Sequence, residues 1–140
     1  MGYTHYWNTT EFKEQQWDNF CESAKKVIVK AVANGIMVDR ESDDEDTPPL
    51  ICDSLIALNG RGEEGHETFY FQRENTTFQF CKTAHKPYDT VAVALLILAH
   101  HYDNDFVWES DGKKGDMNDG VILIREALPL IGIEELGLES

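Results

Sequence analysis

Positive charge is what this chain most lacks. Its 140 residues carry 12 lysines and arginines against 26 aspartates and glutamates, a formal net charge of -14. Such a field repels phosphate backbones and anionic membrane surfaces, which argues against direct nucleic-acid or lipid binding. It leaves room for a basic protein partner, or for a small ligand held where the local charge departs from the average. Long apolar runs are missing too. The longest, residues 91–99, is nine residues, whereas a membrane span needs about 20.

Processing and metal signals are equally scarce. No basic segment followed by an apolar one opens the chain, and position 6 is Tyr where a myristoylation pattern needs Ser or Thr. The three cysteines, Cys21, Cys52 and Cys81, are odd in number and form no CxxC pair. They are expected to be reduced and mostly buried, in a cytoplasmic setting. Neither GxGxxG, P-loop nor GxSxG occurs. His100 and His101 are adjacent, so on a helix they diverge rather than share a metal. The oxygen-rich turns at Asp103-Asn104-Asp105 and 116–120 lack the EF-hand register. No cofactor and no metal is expected.

What is present points to a single α+β domain over 1–140, with 41% hydrophobic and 11% aromatic residues to build its core. Tyr3, His5 and Trp7 alternate with Thr4 and Tyr6 as a strand does. Phe12, Trp17, Phe20, Ala24, Val27, Ile28, Ala31 and Val32 recur at helical spacing, which predicts a long N-terminal helix over 10–34. Asn8, Thr9 or Thr10 would cap it and Asn34-Gly35 would stop it. Asp39 to Asp46 holds six acids and reads as an exposed loop. Three runs, 54–58, 67–72 and 77–81, divided by turn residues such as Asn59-Gly60, predict an antiparallel β-meander. Residues 88–101 are apolar nearly all round, which predicts a buried central helix with Pro87 in its first turn. A late strand at 106–109, a turn at Ser110-Asp111-Gly112 and a C-terminal helix capped by Asn118 or Asp119 complete the expectation.

One segment stands out chemically. From Cys81 to Asp89 the chain passes from a strand into that buried helix, and Lys82, His85 and Lys86 lie within five residues in an otherwise acidic protein. Backbone amides at a helix start favour anions, and Lys82, Thr83, His85 and Lys86 add donors. The expected ligand is a phosphate or carboxylate carried by a small molecule, with Tyr88 or the N-terminal aromatics Tyr3 and Trp7 available for a ring. Asp89 would bond a hydroxyl or orient His85, and His5 is a further candidate. A bland alternative has Asp89 bonding nearby amides, Tyr88 half-buried, and the lysines paired with surrounding carboxylates.

The opening residues 1–7, together with Phe80-Cys81-Lys82-Thr83 and Lys86-Pro87-Tyr88-Asp89, resemble a family of small bacteriophage and bacterial proteins. Asn59-Gly60, Glu67-Thr68-Phe69 and Ser110-Asp111-Gly112 follow in the same order, so the resemblance spans roughly 1–112. It implies a phage or prophage setting and the cytoplasm of a bacterial host. It also implies that His5, Lys82, Thr83, Lys86, Tyr88 and Asp89 belong together in space. Three functions fit: a binder of a small anionic, nucleotide-derived ligand that sequesters a host defence signal, an enzyme of phosphodiesterase type using His5 or His85, and an acidic inhibitor masking a basic host protein. An exposed aromatic cluster would equally suit a homo-oligomer contact.

Overall fold

A computed structural model describes residues 3–40, 47–111 and 117–129. The chain is α+β, as the patterning predicts. Strand β1 (Thr4–Trp7) and the short β2 (Thr10–Glu11) lead into helix α1 (Glu14–Ala33). The helix starts later than predicted because Thr10 is spent elsewhere, its hydroxyl donating to the Gln72 carbonyl at 2.8 Å. The capping oxygen comes instead from Gln16, which accepts from the Lys13 amide at 2.8 Å. At the other end Gly35 takes φ 96°. Ile36 then donates to Ala31 and Gly35 to Val32, which closes the helix as a Schellman turn. The predicted stripe is buried through Ala31, but Val32 is 40% exposed.

Strands β3 (Val38–Asp39), β4 (Leu50–Ile51), β5 (Leu55–Gly60) and β6 (Phe69–Gln72) form one antiparallel sheet with β5 central. Asn59 and Gly60 end a strand rather than form a turn, pairing with Asp39 and Val38. Buried Asn59 organises the following loop by donating to the His66 carbonyl and Thr68 hydroxyl and accepting from the amides of Gly60 and His66. Asp39, expected in the exposed acidic loop, is instead 2% exposed. Its carboxylate receives Arg61 at 2.8 and 3.1 Å, which makes its burial tolerable. The rest of that run, 41–46, lies outside the described residues.

The expected three-strand meander stops at two. After β6 comes the short β7 (Glu74–Asn75), which pairs with β2, and then β8 (Gln79–Lys82), which crosses to β1. A second sheet results, in the order β8-β1-β9, where β9 is Trp108–Ser110. Helix α2 (Asp89–Tyr102) packs against α1 and against α3 (Asn118–Ala127). Its Val91 to Ala99 are all 1% exposed or less, as an apolar helix demands. Pro87 lies in the turn before α2, and Met117, not Asn118 or Asp119, occupies the cap of α3. Among the described residues no helix is long and apolar enough to cross a membrane. Trp7, Phe12, Trp17, Phe20, Phe69, Phe71 and Phe106 join both sheets and α1 in one core, with ring centroids 5.3 to 6.2 Å apart.

Candidate functional site

Because β1 is the central strand of its sheet, His5 faces Cys81 of β8 on one side and Ser110 of β9 on the other. Its ring is fully buried, and both nitrogens are engaged. Nε2 lies 2.7 Å from Asp89 Oδ1 and Nδ1 lies 2.8 Å from Ser110 Oγ. Thr83 Oγ1 donates to the same Asp89 oxygen at 2.6 Å. A carboxylate can only accept, so in the neutral ring Nε2 carries the proton and Nδ1 accepts from the Ser110 hydroxyl. Two segments more than eighty positions apart thus meet through one imidazole. Asp89 orients His5, not His85.

The loop between β8 and α2 is tightly held. Tyr3 carbonyl accepts from the amides of Thr83 and Ala84, at 3.1 and 3.3 Å. Lys86 donates to Thr83 and Asp89 to Lys86, while Ala84 and His85 adopt left-handed φ of 54° and 59°. For two residues with a Cβ that conformation carries strain, which the surrounding bonds must hold. The His85 ring, exposed, lies over Tyr3 with centroids 3.6 Å apart. Beneath the loop, buried Tyr88 donates its phenolic proton to the Glu67 carbonyl, which Cys81 Sγ also approaches at 3.5 Å. Glu67 Oε1 accepts from the Lys82 amide at 2.7 Å. Burial pushes the Cys81 thiol up to about 12, with the Glu67 charge adding to it. Burial also holds the Tyr88 phenol far above its ordinary value.

These placements sort the predicted residues. His5, Thr83 and Asp89 form one buried network, and Tyr3 with His85 caps it. Lys82 and Lys86 are half-buried at its rim, and among the described residues neither ammonium has a carboxylate partner. Trp7 and Tyr88 do not belong to a ligand surface. Trp7 is 2% exposed against Phe69 and Phe71, and Tyr88 is fully buried. Nor do the loop amides form an anion cradle, since those of Thr83, Ala84, Lys86, Asp89 and Thr90 already serve protein carbonyls.

No family model, curated protein or solved structure matches this chain.

Three participants escaped the residue-by-residue reading. Ser110 reads as a turn residue until the β1–β9 register sets it opposite His5. Asp111 accepts from the Thr4 amide at 3.2 Å and the Tyr6 phenol at 2.8 Å, closing that end of the sheet. Glu67 reads as the start of a strand, and only the pairing of its amide with the Lys82 carbonyl explains its place.

Proposed function

We propose that this chain binds a small anionic ligand, of nucleotide type, at the rim formed by Lys82, His85 and Lys86. The observation that carries the reading is two unpartnered ammonium groups flanking an exposed imidazole, on a loop pinned to β1 and α2 in a chain of net charge -14. Recognition falls mainly to side chains, because the amides of Thr83, Ala84, Lys86, Asp89 and Thr90 are occupied. A base would lie on the outer face of His85, whose inner face rests on Tyr3. In the phage setting that the resemblance implies, such binding would sequester a host defence signal in the bacterial cytoplasm.

Calorimetric titration with nucleoside mono-, di- and triphosphates and with cyclic dinucleotides tests this. Each charge-assisted contact contributes about 1.5–3 kcal/mol, so Lys82→Ala with Lys86→Ala should weaken binding on the order of 100-fold or more. The reading fails if no nucleotide in the panel binds the wild type, or if the double variant binds as tightly.

A further inference from the structure

The side of His5 away from the loop holds a second arrangement. Ser110 Oγ, His5 and Asp89 stand in a hydrogen-bonded line of 2.8 and 2.7 Å, and Thr83 holds the carboxylate from the side at 2.6 Å. Carboxylate, imidazole and hydroxyl in that order are the parts of an activated serine, recognised by geometry rather than by chain order. The carboxylate and ring are buried, so their orientation is fixed, whereas Ser110 is half-buried on a strand at the sheet edge. On either side of it Glu109 and Asp111 are exposed. Their carboxylates disfavour an anionic substrate here, which separates this position from the basic rim across β1.

We propose that Ser110 is a nucleophile, activated by His5 and Asp89, that accepts the acyl group of small neutral or cationic carboxylic esters. Ser110 Oγ attacks the ester carbonyl as its proton passes to His5 Nδ1. The resulting imidazolium is stabilised by Asp89 and returns that proton to the departing alcohol oxygen when the carbon–oxygen bond breaks, leaving an acyl-serine. Water, losing a proton to the same nitrogen, then attacks the acyl carbon and releases the carboxylic acid and free Ser110. The sum is ester plus water giving acid plus alcohol, with no further reactant.

Exposure of the intact protein to a fluorophosphonate, followed by intact-mass measurement and peptide mapping, decides the matter. The expected result is a single phosphonyl adduct on Ser110 that is absent from Ser110→Ala. Asp89→Asn, with the fold verified by circular dichroism, should slow labelling by about 100-fold or more, as loss of general-base assistance does. A merely structural histidine would give no adduct, and an unlabelled wild type overturns the proposal, as does an adduct on any other residue. Ligand binding at the Lys82–Lys86 rim stands or falls independently of that outcome.

Discussion

His5 reads, from its neighbours alone, as a packed, hydrogen-bonded histidine on one face of an aromatic strand, and the ring is both buried and bonded at each nitrogen. Its partners are not legible locally, because they come from β9 and from the first turn of α2. Cys81 and Tyr88 show the same limit: Cys81 is buried as expected, Tyr88 is fully buried rather than half-buried or open to a ligand ring, and their shared acceptor, the Glu67 carbonyl, follows from neither reading. The thiols are mostly buried, as expected: Cys21 and Cys81 are buried and Cys52 is exposed. The buried groups have a consequence at alkaline pH. Burial raises Cys81 from 9.0 to about 12 and Cys21 from 9.0 to about 11, and raises Tyr88 as well. In the unfolded chain these groups lose their protons earlier, so the stability they contribute is complete below about pH 9 and is lost as pH rises toward 11 to 12. Urea midpoints measured from pH 8 to 11 should therefore fall above 9, and fall less in Cys81→Ala. A midpoint unchanged over that range, or an identical fall in the variant, would contradict the assignment.

Among the elements, periodicity locates α1, α2 and α3, because burial on one face or on all faces leaves its mark in composition. Strand pairing leaves no such mark. The run at 77–81 alternates like a meander strand, yet β8 pairs with β1, where His5 meets Cys81 and Thr4 meets Lys82. That crossover, not the hairpin, builds the site. Helix packing also depends on a detail that patterning misses. A Cβ on Gly120 would sit 2.7 Å from Val93 Cγ1 and 3.2 Å from the Ala94 amide nitrogen, so α3 approaches α2 closely only because position 120 has no side chain. Helix propensity alone would favour alanine there by about 1 kcal/mol. Overpacking costs typically about 1–3 kcal/mol and should dominate, so Gly120→Ala is expected to lower the urea midpoint. Adding Val93→Ala should recover part of the loss beyond what additivity allows. A stabilised Gly120→Ala would refute the close approach.

For the molecule as a whole, the charge imbalance and the apolar content are bulk properties that the chain displays openly, whereas the meeting of its N-terminal strand with residues 81–89 and 108–110 is not. The N-terminal strand is held by β8 on one edge and β9 on the other, and α2 begins beneath it at Asp89. Both the basic rim and the serine line hang on that junction. The residue order does not say that residues 3–7 and 81–89 touch, because the contact is made by strand pairing and by one buried imidazole. The claim is most directly tested by a double-mutant cycle in urea, using His5→Phe, Asp89→Asn and the pair. Residues in one buried hydrogen-bonded network couple by about 0.5–3 kcal/mol, and this pair, with the ring wholly buried and 2.7 Å between the atoms, should lie in the upper half of that range. A coupling indistinguishable from zero would mean that His5 and Asp89 do not meet, and would contradict the account.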